Sequence, residues 1–443
     1  MSSPAQHPAH AAPDPRRWLA LFILLIANFM NLIDVTIVNV ALPSMREGLG
    51  ATDSQIEWVI AAYVLAFALG LLPFGRLGDI VGRTHMFLWG VAGFTAASAL
   101  CGLSPNIEFL IIARVIQGLA GAMMTPQVLA IATVTFPPHE RGQAFSLFGL
   151  SAGLAAVCGP ILGGVLISAQ LFGMDWQPIF LVNIPVGIAA VIAGYFLIPR
   201  LPGHSALKND FVGIVLFGLG LVCVVFPIIE GRAYGWPLWA FAMIASGFVL
   251  LVAFVLWTRA RAKAGLPQLL KFDLIANRDF MFGAFVITVF ASGIPGMFMV
   301  ISIFLQSGFG FTPLESGLTN TPFSVGVLVA SLIAGRFGSH YLRGRLAASG
   351  ALLAGGIGAL QAFQQVGGAL GVALVGEMFF GSLATGFAAG NAPHAVFTDA
   401  ASFALWYQVA SFLLVLLLVP FFKSGGGQGH GQGAPARHVP IEV

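Results

Sequence analysis

Charge is scarce in this chain: Asp, Glu, Lys and Arg make up 8% of its 443 residues, against about 25% in soluble domains. So few charges cannot cover a solvated surface. The formal net charge of +3 is not gathered into a basic face with interleaved aromatics, so nucleic acid is not an expected partner. Cysteine is scarcer still. Cys101, Cys158 and Cys223 are the full complement, their spacing suits neither zinc nor a disulfide framework, and they read as small packing residues. The sequence also lacks an H-E-x-x-H helix, a Gly-rich phosphate loop and a nucleophile elbow, and His139-Glu140 has no second histidine at metal-binding spacing. Enzyme, metal-centre and ATP-driven readings therefore have no residues to stand on, and no cofactor is expected.

What the chain does have is apolar length. Hydrophobic residues are 58% of the total and mean hydropathy is +0.92, which places the protein in a membrane. Crossing about 30 Å of hydrocarbon takes roughly 20 apolar residues. Such segments fall near 18–41, 57–75, 86–104, 107–135, 143–168, 179–198, 211–230, 237–258, 280–305, 315–335 and 402–422. A Gly-rich stretch at 346–387 is long for one span and short for two. The first segment exceeds a signal-peptide core and is expected to be retained. Residues 1–17 and 423–443 are poor in hydrophobics and rich in Gly, Pro and Ala, the composition of disordered tails.

Lys and Arg set the orientation, because cytoplasmic loops keep the positive charge. With the N-terminus inside, 17 of the 20 basic residues fall on inside segments, Arg46 and Arg232 fall outside, and Arg114 lies within a span. Both termini are thus expected in the cytoplasm, with 346–387 crossing once in net terms.

Asp34 stands inside the first apolar segment, in NLIDVTIVNV. A charge within a span costs about 2.5–3.5 kcal/mol or more, so it usually faces a bundle interior and is functional by default. The alternative is an outer-end cap on a span that starts later. Arg114 is the second intramembrane charge. At 1.5 Å per residue the two fall in one layer, about 6–12 Å below the outer face; Arg114 facing only backbone carbonyls is the competing reading. Gly149 and Gly153, and again Gly159 and Gly163, stand four apart around Pro160. This spacing gives a closely packed, kinked helix, whether for packing alone or as a pivot. GRLGDIVGR (75–83) and GRFGSHYLRGR (335–345) form a weak repeat of inside loops, with Ser339 standing where the first copy has Asp79, as in transporters with two halves related along the membrane normal.

Taken in order, these motifs resemble a drug:proton antiporter of the 14-span family within the major facilitator superfamily. DVTIVNVALP (34–43) resembles the family's first-span motif. Gly75, Gly78, Asp79, Gly82 and Arg83 match its loop motif, although Ile80 and Thr84 replace common basic residues. Arg114, Gln117 and Gly118 match its fourth-span R-x-x-Q-G, and Gly153, Gly159, Pro160, Gly163 and Gly164 resemble its fifth-span antiporter motif. WQPIFLVNIPVG (176–187) resembles the start of span six, with Gln177 in place of a usual Arg.

The resemblance implies an all-α polytopic membrane protein of the major facilitator fold: a six-helix bundle at 18–198, an inserted helix pair and linker at 199–279, and a second bundle at 280–422. It implies proton-coupled efflux of amphipathic drugs or metabolites by a monomer in the cytoplasmic membrane, with the proton gradient as energy source. Asp34, Arg114 and Gln117 would serve proton coupling, Asp79 and Arg83 an inner gate, and the Gly-Pro helix rocking. The second half departs from the pattern. Gly75 and Gly153 are 78 residues apart, while their counterparts Gly335 and Gly367 are 32 apart, so about two spans of roughly 20 residues and a turn are absent near 355. One wall of a substrate cavity would then be incomplete, and a non-transporting remnant is the alternative function. Glu377, in the spliced stretch, reads either as a second titrating group in the cavity or as an outer-end acid in water.

Overall fold

The computed structural model describes residues 15–137, 139–203, 209–326, 328–329, 343–418 and 421, the stretch 343–358 by its backbone alone. The described residues form helices and connecting turns, without strands. In chain order the helices are α1 (Arg17–Leu49), α2 (Asp53–Val81), α3 (Arg83–Gly102), α4 (Ile107–Thr135), α5 (Arg141–Ser168), α6 (Pro178–Leu181), α7 (Asn183–Leu197), α8 (Phe211–Glu230), α9 (Leu238–Lys263), α10 (Phe272–Ala276), α11 (Arg278–Ile303), α12 (Pro313–Thr319), α13 (Arg343–Ala388) and α14 (Pro393–Leu418). Among the described residues eleven helices are long and apolar enough to cross a membrane. The expected span at 315–335 is described only in part. Residues 1–14 of the first tail, the second tail at 423–443, and most of the loop repeat at 335–345 with Ser339 lie outside the described residues, and Arg17, assigned to the first tail, begins α1.

In so apolar a chain hydropathy does not mark helix ends, and polar caps do. Thr52 and Gln55 close a capping box at the start of α2, Asn106 accepts from Phe109 N–H at α4, and Asp210 accepts from Gly213 N–H at α8. Each satisfies a donor that the first turn leaves without an intrahelical partner. Gly50 ends α1 in the left-handed conformation. Gly82, at φ 110°, breaks α2 from α3; a side chain there would be strained.

Lipid tails are as apolar as Leu, so helices in a bilayer associate through close packing and polar contacts rather than through the hydrophobic effect. Gly90 shows the geometry: a Cβ on it would stand 2.8 Å from the backbone nitrogen of Met124, so α3 and α4 touch at backbone distance. Helices α1 to α7 pack around one core that α8, α11, α13 and α14 join. The hairpin of α8 and α9 is peripheral, since α9 buries 17% of its most apolar stretch where α2 buries 67%. Helix α13 runs unbroken for 46 residues. At 1.5 Å per residue that is about 69 Å, more than twice the hydrocarbon thickness.

The helices share two ends. The start of α1 pairs with the start of α5 through Arg17 and Glu140 at 2.8 Å, and this end is called the Arg17 side. At the opposite, Leu49 side, Arg46 pairs with Asp53 at 2.7 Å and Gln55 donates to Glu108 at 2.9 Å.

Candidate functional site

Asp34, Arg114 and Gln117 meet in the centre of the first bundle with side chains at most 1% exposed. Arg114 Nη1 donates to Asp34 Oδ2 at 2.5 Å and to Gln117 Oε1 at 2.6 Å. Arg114 Nε donates to the Val59 carbonyl at 3.0 Å. Gln117 Nε2 donates to Asp34 Oδ1 at 2.8 Å and to Ser98 Oγ at 2.9 Å. Both carboxylate oxygens are thereby occupied, one by a cation and one by an amide. Neither alternative from sequence holds: Asp34 is not a solvent-facing cap, and Arg114 bonds a carboxylate as well as a carbonyl.

Local sequence explains the meeting. Gln117 follows Arg114 by three residues, so both lie on one face of α4. One residue further, Gly118 lies against the Tyr63 carbonyl of α2, with no room for a Cβ. That approach lets the Arg114 guanidinium lie 4.2 Å from the Tyr63 ring centroid, within cation–π range. The Tyr63 hydroxyl in turn donates to Asn31, which stands three residues before Asp34 on α1 and donates to Thr125 at 3.2 Å. Three helices are therefore cross-linked through one charge pair. Breaking such a buried pair by removing one partner costs about 3–5 kcal/mol.

The Gly-Pro motif of α5 has two faces. Gly159 lies against Thr36, and a Cβ on Gly163 would stand 2.9 Å from Ile37 Cγ1, both on α1 and close behind Asp34. On the other face a Cβ on Gly153 would stand 2.6 Å from Leu328 Cδ1, and one on Gly164 2.6 Å from Leu314 Cα, while the Pro160 carbonyl abuts Gly317. Ser324 Oγ adds a hydrogen bond to the Ala156 carbonyl at 2.9 Å. Helix α5 thus joins the helix of Asp34 to the segment 313–328, and it continues as helix through Pro160. Gly149 has open space around it.

The loop motif sits on the Arg17 side, some distance along α2 from Asp34. Arg83 Nη2 and Asp79 Oδ1 are 2.9 Å apart, and Gly82 packs on the Leu201 carbonyl, 2.8 Å from where its Cβ would be. Gly75 and Gly78 face Pro126 and Gln127 of α4. Asp79 and Arg83 pair with each other within the motif.

Glu377 is not part of the Asp34 cluster. It lies on α13 toward the Leu49 side, where Arg232 Nη1 is 3.8 Å from its Oε2 and Trp236 Nε1 donates to its Oε1 at 3.2 Å. Arg232 Nη2 also donates to Glu57 Oε1 on α2 at 3.1 Å. A cavity of about 520 Å³ adjoins Glu377, lined also by Met378, Gly381, Ser382, Thr385 and Phe403.

Several of these residues escaped the sequence reading. Arg232 registered only as an outside charge. Glu57 was only the first residue of the span expected at 57–75, whereas α2 starts at Asp53, four residues earlier. Cys101, taken as packing, places its thiol 3.6 Å from Gln117 Oε1. Tyr63, Ser98 and Asn183 carried no spacing signal at all; Asn183 Nδ2 reaches Ser98 Oγ at 3.4 Å.

Fold and site together define a polytopic helical membrane protein with a satisfied charge network in its first bundle. The sequence profile of the Major Facilitator Superfamily matches residues 24–211. The "Probable actinorhodin transporter" of Streptomyces coelicolor is 39% identical over 430 residues, covering 84% of this chain and 74% of that protein. The "Puromycin resistance protein pur8" of Streptomyces alboniger is 36% identical, over 80% of this chain and 69% of its own length. For the "Tetracenomycin C resistance and export protein" of Streptomyces glaucescens the identity is 32%, over 73% and 60%. The chain thus spans between three-fifths and three-quarters of these relatives. A solved "bacterial homologue of the human drug peptide transporters PepT1 and PepT2" shares the fold at a TM-score of 0.57 and 12% identity, over 91% of this chain and 98% of that one. The chain belongs to the major facilitator superfamily, a family of membrane transporters and not of enzymes.

Proposed function

We propose that this protein is a proton-driven exporter of amphipathic drugs or metabolites, working in the cytoplasmic membrane with its Arg17 side facing the cytoplasm. The observation that carries the reading is the buried Asp34–Arg114–Gln117 cluster. Protonation of Asp34 removes one charge of the pair and frees the guanidinium, so proton binding changes what holds α1 to α4. A carrier that favours substrate in one protonation state and releases it in the other moves both in opposite directions, as population shift requires. Helix α5, glycine-faced toward both α1 and the segment 313–328, is placed to pass a change at Asp34 to the second half. Asp79 and Arg83 serve the inner gate, and the names of the antibiotic-exporting relatives support the substrate class. The distribution of Lys and Arg supports the orientation.

The second half is read as shortened. Two observations support this: the 46-residue α13, and the match to the actinorhodin relative, which runs over 430 residues while taking in 84% of this 443-residue chain. The same observations favour a second reading, a chain that inserts but does not transport. The deciding experiment measures proton flux in inverted vesicles carrying the full chain, on addition of a panel of amphipathic compounds, beside Asp34→Asn. Substrate-triggered collapse of the pH gradient, abolished in Asp34→Asn, is expected. Silence toward every compound, with insertion verified and a full-length relative active alongside, would establish the non-transporting reading.

A further inference from the structure

The charges at the Leu49 side do not balance as those around Asp34 do. Glu57 on α2 and Glu377 on α13 both address one guanidinium, that of Arg232 in the turn between α8 and α9. Glu57 is 1% exposed. Its Oε1 accepts from Arg232, whereas its Oε2 is buried without a hydrogen-bond partner, as is Oε2 of Glu377. Gly376 explains how the carboxylates come so close: a Cβ there would stand 2.5 Å from Glu57 Oε2, so only a glycine admits the Glu57 carboxyl against α13. Arg232 also donates to the Gly376 carbonyl at 3.3 Å and stands 5.2 Å from the Phe380 ring centroid. Among the other charged groups, Asp53 on α2 adds repulsion, and Glu230 at the end of α8 is engaged by Trp58 Nε1 at 2.7 Å. The surroundings therefore supply one cation to two acids and no donor for the second oxygen of either.

We propose that Glu57 and Glu377 form a second proton-binding site, holding one exchangeable proton between them across Arg232. Two carboxylates in one site cannot both stay ionised cheaply, and each leaves a buried acceptor without a donor. One proton brings the two acids and one cation to balance. Glu377 is a quarter exposed and lines the open hollow of about 520 Å³, so the pair is not sealed as Asp34 is. The site joins three parts of the chain, namely the first bundle, the peripheral hairpin and α13. The hairpin thereby has a chemical role through Arg232: discharge of the proton strengthens the hold of both acids on that residue and tightens the Leu49 side. The use of this proton in transport rests on the exporter reading; its existence does not.

The test therefore needs no substrate. Infrared difference spectra of the purified full chain in lipid, taken along a pH titration, are expected to show loss of a protonated-carboxyl band as pH rises. Glu57→Gln and Glu377→Gln should each abolish it, because the shared proton is held only while both carboxylates compete for Arg232. Arg232→Gln should shift the same step to more alkaline pH, because the cation that favours the ionised carboxylates is gone. Should Glu57→Gln fail to insert, Glu377→Gln and Gly376→Ala carry the test: the first loses the band and the second moves it by displacing the Glu57 carboxyl. A band missing from the wild type, one surviving in either glutamine variant, or one removed only by Asp34→Asn would overturn the proposal.

Discussion

The two charge clusters of this protein are built on opposite arithmetic. Around Asp34 one acid meets one guanidinium, an amide takes the second carboxylate oxygen, and every group is sealed within α1, α2, α3 and α4. Around Arg232 two acids meet one guanidinium, and two carboxylate oxygens are left without donors. A matched, sealed pair resists change until its acid is protonated; an unmatched, partly accessible one already invites a proton. The contrast also separates the halves of the chain. The first cluster lies within one bundle, whereas the second bridges that bundle, the hairpin and α13.

Removing each cation breaks the comparison most severely. Arg114→Ala leaves Asp34 buried and uncompensated, an expected loss of about 3–5 kcal/mol. Arg232→Ala removes charge-assisted hydrogen bonds from a site that protonation can neutralise, an expected loss of about 1.5–3 kcal/mol. Unfolding midpoints of the two variants in the same detergent read the difference directly, and equal losses would contradict the distinction drawn here.

Alanine at the two close-approach glycines sharpens it further. At Gly118 the new Cβ meets the Tyr63 backbone carbonyl, which cannot step aside without moving α2 from α4. Overpacking of that kind costs about 1–3 kcal/mol. At Gly376 it meets the end of a flexible glutamate, which can swing away. Gly118→Ala should therefore lower the unfolding midpoint more than Gly376→Ala, by the same thermal assay.

The smallest effect belongs to an ion pair at the membrane edge. Hydrogen bonding from Arg17 holds the Glu140 carboxyl below the usual carboxylate range. A folded-state value below the unfolded one contributes stability above the unfolded value of about 4.3 and loses it as pH falls through the folded value. Glu140→Gln should consequently lower the midpoint slightly at neutral pH, where the pair contributes, and match the wild type in acid, where the wild type has lost the same contribution, as a pH series of melting curves would show.

Sequence legibility follows how local the cause is. Asp34 and Arg114 were legible as a buried pair because a charge within twenty apolar residues rarely faces lipid, whereas Gln117 was legible only through the resemblance of Arg114, Gln117 and Gly118 to the R-x-x-Q-G motif. Span positions were legible from hydropathy, though α14 begins at Pro393 rather than near 402, since exposed polar residues extend its first turns. Glu57 and Arg232 were not legible as partners: they are 175 residues apart and each sits at a helix end, where charges are ordinary. The glycines of α5 were recognised as a motif, but their division between α1 and the segment 313–328 depends on helices that approach from opposite sides.

By itself, the sequence determined that this chain is a helical membrane protein, where most of its spans run, and that a carboxylate and a guanidinium lie at one depth in the first bundle. Composition and spacing are enough for that, because the bilayer penalises every unpaired charge and every unbonded backbone group. Only the tertiary structure decided which groups pair. Hydrogen bonds reach about 3 Å, a range that hydropathy and periodicity do not resolve, and whether Glu377 meets Asp34 or Arg232 depends on how α13 packs beside α2.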